Sequence, residues 1–200
     1  MAFFRLSLAS DDPPLVRGRG FFLRPPRPDD FEAWARLREV SRDFLRPWEP
    51  IWPADDLTRS AYRRRVRRYQ REIDEDLAYP FFLFRESDEA LLGGLTLGMI
   101  RRGVAQATTL GYWMGAPHAG QGHMTRAVRA AAGYAFESLR LRRIEAACVP
   151  YNEASMHLLE KVGFRREGFA RQYLCINGTW QDHVLYALLR DEFREDTGSP

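Results

Sequence analysis

The sequence APHAGQGHMTRA spans residues 116–127 and places two glycines, Gly120 and Gly122, one residue apart. It follows a strand-like segment, VAQATTLGYWM, and it opens a helical pattern that continues to about Leu139. The first N–H groups of a helix lack partners within the helix, and the helix dipole favours an anion beside them. A glycine at this point lets a phosphate approach the backbone without a Cβ atom in the way. Taken alone, the stretch fits a tight turn and an anion cradle about equally well.

Two common phosphate-binding loops do not fit these residues. No Gly-Lys-Ser or Gly-Lys-Thr follows Gly122, so the stretch is not a nucleoside-triphosphate loop. The third glycine and the first-strand position of the dinucleotide-binding fingerprint are also missing. The choice between turn and cradle therefore depends on the rest of the chain.

Strand and helix patterns alternate on both sides of this stretch. Strand-like segments cover residues 15–24, 81–84, 91–100, 104–114, 143–149, 164–170 and 181–188. Helical patterns begin after Pro28, at Thr58, at Gly122 and at Asn152, and Gly163 ends the last of them. The order β-α-α-β-β-β-α-β-α-β-β predicts an α/β fold, with a mixed sheet flanked by helices.

The first helix and the loop after it are rich in large side chains. Phe31, Trp34, Leu37 and Val40 recur at helical spacing and are expected to form one buried face. Residues 44–53, FLRPWEPIWP, contain three prolines and two tryptophans and are incompatible with a regular helix. We call these residues the proline-rich loop.

The composition is that of an ordinary globular chain. Of the 200 residues, 45% are hydrophobic and 28% are charged, and the formal net charge is +3. Residues 15–193 are predicted to form a single domain, with flexible ends at residues 1–14 and 194–200. The apolar segments are shorter than the roughly 20 residues that span a membrane, and the start lacks a basic signal-peptide region, so no membrane partner is expected.

The cysteines and histidines show no metal-binding pattern. Cys148 and Cys175 fall in strand patterns, which favours reduced core thiols and a cytoplasmic location. His157 and His183 have no partner at ligand spacing, so no metal is expected.

A second motif identifies the first. NEASMHLLEKVGF, residues 152–164, follows a strand some thirty residues downstream of Gly122. The pair resembles the GNAT superfamily of acyl-CoA-dependent N-acetyltransferases, whose pyrophosphate loop reads Gln/Arg-x-x-Gly-x-Gly/Ala and whose later helix reads Asn-x-x-(Ser/Ala)-x-x-Leu-x-x-x-Gly-Phe. Gly122 keeps the central glycine, whereas Ala119 and Met124 depart from the loop pattern. The resemblance implies a mostly antiparallel central sheet that splays at the cofactor cleft.

One branch of the superfamily is more similar than the others. FLRPWEP, LGYWMGAPHAGQGHM and EGFARQYLCINGTWQDHVLYAL resemble the RimJ/RimL-like ribosomal-protein-alanine N-acetyltransferases and occur in the same order. The implied reaction is acetyl transfer from acetyl-CoA to a primary amine, with the N-terminal alanine of a ribosomal protein as the first hypothesis. A small-molecule amine acetyltransferase is the alternative within the enzyme class, and a non-catalytic acyl-CoA-binding module is the alternative outside it. Monomer and dimer stay open.

The resemblance also implies a cofactor site. Backbone N–H groups of the loop would hold the pyrophosphate, and the strand from Leu110 to Gly115 would pair with the pantetheine arm. An N–H near Met114 would face the thioester oxygen. Two residues of the later helix would face the same cleft. The implied cofactor-binding residues are Trp113, Met114, Gly115, Gln121, Gly122, His123, Met124, Thr125, Asn152 and Ser155.

The groups that transfer protons are less clearly indicated. Many superfamily members have a tyrosine acid where this chain has Leu159, so Ser155 is the candidate acid, with a structural hydroxyl or water as alternatives. Glu49, set among tryptophans and prolines, is the candidate base. The alternatives to Glu49 are an exposed loop acid and a chain of water molecules, since an α-amine has a pKa near 8.

Two other features favour plain interpretations. His118 and His123 beside the loop are expected to be solvent-exposed rather than catalytic. The segment RRRVRRYQR, residues 63–71, is compatible with contact to ribosomal RNA. A solvated helix face, partly balanced by Glu72, Asp74 and Asp76, is the favoured interpretation.

Overall fold

A computed structural model of the chain describes residues 15–194. Eight strands form one sheet: β1 (Val16–Gly18), β2 (Phe21–Arg24), β3 (Tyr79–Arg85), β4 (Leu91–Arg101), β5 (Ala107–Met114), β6 (Arg143–Cys148), β7 (Arg165–Ile176) and β8 (Thr179–Leu189). The helices are α1 (Phe31–Val40), α2 (Arg42–Leu45), α3 (Arg59–Asp74), α4 (His123–Gly133) and α5 (Glu153–Val162). The predicted α/β fold with a mixed sheet and flanking helices is confirmed.

The sheet has the strand order β1-β2-β3-β4-β5-β6-β8-β7. Neighbouring strands run antiparallel except β5 and β6, which are parallel. A parallel connection needs a crossover, and α4 supplies it between these two strands. The mostly antiparallel sheet that the resemblance implied is therefore present.

Two apolar clusters lie on opposite faces of the sheet. On one face α4 contributes the buried Met124, Ala127, Val128 and Ala131, and α5 contributes the buried Leu159 and Val162. On the other face α1 and α3 contribute Trp34, Leu37 and Tyr62. Helices therefore cover both faces of the sheet.

Several helix ends follow the predicted signals. Thr58 Oγ1 accepts a hydrogen bond from the N–H of Ala61 at 3.2 Å and caps α3. Asn152 Oδ1 accepts from the N–H of Ser155 at 3.1 Å and caps α5, and Gly163 ends that helix with φ +112°. These local signals are confirmed because capping depends on neighbours within three or four residues.

Three predictions about single segments were wrong. Residues 15–24 form a hairpin of two strands rather than one, because Gly20, at φ +79°, turns the chain. Val40 is 60% exposed, at the last position of α1. Cys175 is exposed on the edge strand β7, whereas Cys148 is buried as expected.

The structure covers the predicted domain but only one residue of the predicted flexible ends. The predicted flexible ends, residues 1–14 and 194–200, lie outside the described residues apart from Arg194. The single domain at residues 15–193 stays a prediction.

Candidate active site

A gap opens between the two central strands. β5 and β6 pair only through Ala107, Thr108 and Thr109, opposite Arg143, Ile144 and Glu145. β5 continues to Met114 and β6 to Cys148 without further pairing to each other. The two strands therefore splay into a V, as the resemblance implied.

The backbone of β5 presents hydrogen-bonding groups to this gap. Gly115 donates its N–H to the carbonyl oxygen of Leu92 at 2.8 Å, so odd-numbered residues at this end of β5 point towards β4. Because the direction alternates along the strand, the N–H and C=O groups of Tyr112 and Met114 point into the gap, whereas the Leu110 N–H belongs to the parallel pairing that ends at Thr109 and Glu145. Of the three consecutive residues predicted to bind cofactor, Trp113 to Gly115, only Met114 offers its N–H there.

The loop between β5 and α4 has the geometry of an anion site. Gly120 and Gly122 have φ angles of +73° and +74°, in the left-handed region that glycine adopts readily. A Cβ atom added at Gly120 would meet nothing within 4 Å, so the approach to the backbone is open. The first intrahelical hydrogen bond of α4 runs from the Arg126 N–H to the Gly122 carbonyl at 3.2 Å. The N–H groups of His123, Met124 and Thr125 precede it and are free to bind a ligand.

Side chains of the loop divide into two groups. The Met124 side chain is buried in the core, and the Gln121 side-chain amide donates to the Pro117 carbonyl at 3.1 Å. Thr125 is half-buried at the start of α4. Contacts to a ligand from Gln121 and Met124 would therefore come from their backbone.

The surroundings of the loop are electropositive. Burial lowers the pKa of His123, and the nearby Arg126 guanidinium, 2.9 Å from its Nδ1 atom, adds to this effect. Burial also lowers the pKa of His118, with a further contribution from Arg85. Both histidines are half-buried rather than solvent-exposed, which corrects that expectation.

The start of α5 meets β5 at the gap. The Tyr112 hydroxyl and the Ser155 hydroxyl form a hydrogen bond of 2.6 Å. Burial raises the pKa of the Cys148 thiol, and a hydrogen bond with the Ser155 side chain partly offsets this rise. Burial likewise raises the pKa of Tyr112, so its hydroxyl keeps its proton at neutral pH. Two hydroxyls and a thiol are thus brought together where the strands separate.

Leu159 does not take part in this cluster. Its side chain is 1% exposed and belongs to the main apolar core. Leu159 therefore has a packing role, and its position supplies no acid to the gap.

The proline-rich loop holds a buried ion pair. The guanidinium of Arg38 donates to both carboxylate oxygens of Glu49 at 2.7 and 2.6 Å, and Trp52 Nε1–H donates to the same carboxylate at 2.7 Å. The Arg38 side chain is 8% exposed and the Glu49 side chain 20%. The role of Glu49 as a base stays a prediction, but its surroundings differ from those assumed, because an arginine faces the carboxylate.

Arg38 also joins the proline-rich loop to β5. Its Cζ atom lies 4.1 Å from the centre of the Trp52 ring and 5.0 Å from that of Trp113, distances typical of cation–π contacts. The Arg38 Nε atom is buried and has no hydrogen-bond partner among the described residues. Trp113 belongs to β5, so the guanidinium bridges the loop and the residue before Met114.

Helix α1 fixes the end of β5 at two further points. The buried Ser41 hydroxyl accepts a hydrogen bond from the Ala116 N–H at 2.9 Å. A Cβ atom added at Gly115 would lie 2.4 Å from Leu37 Cδ1, so only glycine allows this approach. The position of Met114 is therefore set by contacts on both sides of it.

The other side of the proline-rich loop borders a cavity. The Asn177 N–H donates to the Glu49 carbonyl at 2.9 Å, and the Trp48 ring lies 5.7 Å from that of Tyr151. These contacts leave a cavity of about 250 Å³ lined by Arg46, Pro47, Tyr151, Ile176, Asn177, Thr179 and Gln181. The cavity lies between the loop and the β7–β8 turn.

Sequence reasoning missed two residues of this site, Tyr112 and Arg38. Tyr112 could have been found from its position, because it lies on the same face of the predicted strand as Leu110 and Met114. Arg38 follows Leu37 in the apolar pattern of α1 and gave no signal, since its partner Glu49 is 11 residues away.

No metal site or membrane span accompanies these features within residues 15–194. There is no group of three or more His, Cys, Asp or Glu side chains placed to hold a metal ion in this part of the chain. None of its helices is both long and apolar enough to cross a membrane.

Comparison with known proteins agrees with the geometry. The acetyltransferase (GNAT) domain family matches residues 21–165. The Bacillus subtilis protein named "Probable N-acetyltransferase YjcK" is 39% identical over 178 residues, which cover 89% of this chain and 98% of that protein. The [Ribosomal protein uS5]-alanine N-acetyltransferase of Escherichia coli is 35% identical over 162 residues, which cover 80% of this chain and 83% of the relative.

A solved structure gives the same result. The structure of Mycobacterium smegmatis RimJ in complex with CoA-disulfide superposes with a TM-score of 0.84 at 30% identity, covering 92% of this chain and 89% of the other. The splayed sheet and the loop at the start of α4 define an N-acetyltransferase. The chain belongs to the acetyltransferase (GNAT) family, and its relatives include the RimJ-type ribosomal-protein N-acetyltransferases.

Proposed function

We propose that the protein transfers the acetyl group of acetyl-CoA to the N-terminal α-amine of a ribosomal protein that begins with alanine. The observation that supports acetyl-CoA as the donor is the gap between β5 and β6. Free N–H groups line one wall of this gap, and an open helix N-terminus lies at its end. The acceptor hypothesis is supported by 35% identity to a [Ribosomal protein uS5]-alanine N-acetyltransferase.

Donor binding uses the backbone more than side chains. The N–H groups of His123, Met124 and Thr125 would hold the pyrophosphate, because they are unpaired and lie at the positive end of the α4 dipole. Arg126 adds a positive charge beside Gly122, since its Nη1 atom would be 3.8 Å from a Cβ atom placed there. The C=O group of Leu110 and the N–H and C=O groups of Tyr112 would pair with the amides of the pantetheine arm as a neighbouring strand does.

The chemical step joins an amine nitrogen to the acetyl carbon and breaks the carbon–sulfur bond of the thioester. The Met114 N–H would donate to the carbonyl oxygen and stabilise the negative charge that develops on it. This donor is held rigidly, because Arg38, Leu37 and Ser41 fix the residues on either side.

The departing thiolate requires a proton. Ser155 would supply it, and Tyr112 would orient the Ser155 hydroxyl through their 2.6 Å hydrogen bond. Burial raises the pKa of Tyr112, so this partner stays protonated and can donate its hydrogen bond to the Ser155 oxygen, which leaves the Ser155 proton for the thiolate. Ser155 is thus the proposed acid and Tyr112 a positioning residue.

The amine requires the loss of a proton. An α-amine has a pKa near 8, so a usable fraction is neutral at physiological pH and its proton can leave through water. Glu49 was predicted to be the base, but its oxygens already accept hydrogen bonds from Arg38 and Trp52. We assign Glu49 to holding the proline-rich loop against Trp113, and a variant series below separates the two roles.

A panel of acceptors tests this function. Peptides beginning with alanine, serine or methionine, an Nα-blocked peptide with an internal lysine, and small amines are incubated with acetyl-CoA while thiol release is recorded. Mass spectrometry then locates the acetyl group. Preference for the α-amine of the alanine peptide is expected, whereas preference for small amines or silence across the panel would contradict the acceptor hypothesis.

A further inference from the structure

The positive charge of the protein is concentrated on one helix. α3 carries seven arginines and two carboxylates, a formal charge of +5, whereas the whole chain has a formal charge of +3. The rest of the chain therefore sums to −2. A helix of this composition dominates the electrostatic field on its side of the molecule.

Four of the seven arginines have carboxylate partners. Arg64 pairs with Asp55 at 2.6 Å and Arg65 with Asp56 at 2.6 Å, which ties the start of α3 to the segment that follows the proline-rich loop. Arg68 lies 3.4 Å from Glu72, and Arg59 contacts Glu32. Three of these pairs join α3 to other segments, and the Arg68–Glu72 pair lies within the helix.

The other three arginines, Arg63, Arg67 and Arg71, are exposed and have no ion pair among the described residues. They are spaced four residues apart, so they form one stripe along the helix. At a rise of about 1.5 Å per residue, the stripe is about 12 Å long. We call Arg63, Arg67 and Arg71 the arginine stripe.

The carboxylates expected to balance the stripe are engaged elsewhere. Asp76 accepts from two nitrogens of Arg102, at 2.6 and 2.7 Å, and from the Tyr79 hydroxyl at 3.0 Å. Asp74 accepts from the side-chain amide of Gln70 at 2.8 Å. Of Glu72, Asp74 and Asp76, only Glu72 faces an arginine of α3, and that arginine is Arg68. None of these carboxylates therefore forms an ion pair with the arginine stripe.

The helix holds the stripe in a fixed orientation. Tyr62 is fully buried on the opposite side of α3, and its hydroxyl donates to the Arg27 carbonyl at 2.9 Å. Thr58 caps the first turn. Three long cationic side chains thus project from a helix whose own position is set by the core.

We infer that the arginine stripe binds the phosphate backbone of RNA. Guanidinium groups form paired, charge-assisted hydrogen bonds with phosphate, and three of them on one line suit successive phosphates of a strand. In the described part of the chain, α3 has no large apolar side chain that is exposed. An interfacial helix and an apolar protein interface both use such side chains, so a polyanion held by charge is the occupant that fits.

This binding is independent of acetyl transfer. The stripe contains none of the residues placed around the gap between β5 and β6, and it lies on the helix layer opposite α4 and α5. RNA contact would retain the enzyme near RNA-associated acceptors, but it can be measured without acetyl-CoA or any acceptor. Failure of one claim therefore leaves the other standing.

Fluorescence anisotropy with a labelled single-stranded RNA of mixed sequence tests the inference. Three phosphate contacts predict a slope of log K against log salt of about −2, and an affinity loss of more than about tenfold between 50 and 200 mM salt. The triple variant Arg63→Gln/Arg67→Gln/Arg71→Gln should lose most of this affinity and about two units of slope. Its circular dichroism and its acetyltransferase activity on the alanine peptide should match the wild type.

A charge-matched variant is the control. Arg19→Gln/Arg140→Gln/Arg142→Gln removes the same three charges at exposed positions outside α3 and should bind RNA with the wild-type slope. Equal losses in both variants would show that net charge alone is responsible and would overturn the inference. So would an unchanged slope in the stripe variant, or tighter binding to poly-glutamate or to anionic vesicles than to RNA.

Discussion

The hydroxyls of Tyr112 and Ser155 lie 2.6 Å apart, one on the strand that borders the gap and the other on the first turn of α5. This bond is the only direct hydrogen bond between the side chains of β5 and α5 within residues 15–194. It places a protonated hydroxyl behind the proposed acid, at the point where the departing sulfur requires a proton.

Removal of either hydroxyl tests this arrangement. Ser155→Ala should lower kcat by about a hundredfold, the usual range for a lost general acid, and Tyr112→Phe should lower it less. Because Tyr112 acts through Ser155, the double variant should be no slower than Ser155→Ala. Steady-state thiol release measures all three.

A matched tyrosine controls for lost packing. The Tyr186 hydroxyl donates to Glu160 of the same helix at 3.0 Å, so Tyr186→Phe removes a similar bond farther along α5 and should keep wild-type kcat. Additive effects of Tyr112→Phe and Ser155→Ala would mean that the two hydroxyls do not act as one unit.

The loop between β5 and α4, which contains Gly120 and Gly122 and is called the glycine loop below, should control the binding of acetyl-CoA. Acetyl-CoA at about 100 times its Kd should stabilise the wild type by about 2.7 kcal/mol, which corresponds to a rise in Tm of about 5 to 10 °C for a chain of this size. Gly122→Trp should abolish the rise, because its side chain would occupy the approach to the α4 N-terminus. Differential scanning fluorimetry measures the shift.

Gly103 provides the corresponding control, since it has φ +64° and open space around it but lies in the β4–β5 hairpin. Gly103→Trp should lower the starting Tm through a similar backbone strain and keep the response to acetyl-CoA. A full response in Gly122→Trp would contradict the proposed cradle.

How much of this site follows from sequence depends on the range of each contact. Asn152, Gly163 and the glycine loop were predictable because caps and turns depend on nearby residues. The Tyr112–Ser155 bond spans 43 residues and the Ser41–Ala116 bond spans 75, so neither leaves a local pattern. The hairpin at Gly20 was missed because residues 15–24 also satisfy the pattern of one longer strand.

The same limit explains the different surroundings of Glu49. Its neighbours in sequence are tryptophans and prolines, which suggested an apolar pocket, whereas the fold adds Arg38 from α1. A residue's local sequence shows which groups precede and follow it, but not which element packs against it. The chemistry of an isolated carboxylate therefore cannot be predicted from the loop alone.

Breaking the Arg38–Glu49 pair should have asymmetric effects on stability. Glu49→Gln leaves a buried guanidinium without its carboxylate and should cost about 3 kcal/mol of unfolding free energy. Arg38→Met leaves a carboxylate that water can reach and should cost less, and the double variant should resemble Arg38→Met. Urea unfolding gives the three values, and a larger loss for Arg38→Met would contradict this order.

The same variants separate positioning from base catalysis by Glu49. A positioning role predicts that Glu49→Gln and Arg38→Met lower kcat/KM to similar extents without changing the shape of its pH profile. A base predicts that Glu49→Gln is far slower than Arg38→Met and loses the acidic limb of the profile.

His123 should make the free protein sensitive to mild acid. Burial and Arg126 lower its pKa in the folded state below the ordinary value of about 6.5, so the unfolded chain binds more protons in that range. Its contribution to stability is complete above about pH 6.5 and is lost as the pH falls through the folded-state pKa.

Because His123 is only half-buried, the effect should be a fraction of a kcal/mol. His123→Gln should reduce the fall in Tm between about pH 7 and 5, whereas His157→Gln, at an exposed position on α5, should not. An identical fall in wild type and His123→Gln would show that other groups are responsible.

Acetylation of an α-amine is the proposed reaction, and intact-mass and fragment-ion spectrometry of a single reaction mixture detects it. A peptide with an N-terminal alanine and an internal lysine is incubated with acetyl-CoA and the purified protein. The proposed function predicts one added acetyl group, located on the alanine nitrogen and absent when Gly122→Trp replaces the wild type. An acetyl group on the lysine side chain, or no transfer under conditions where acetyl-CoA raises Tm, would contradict it.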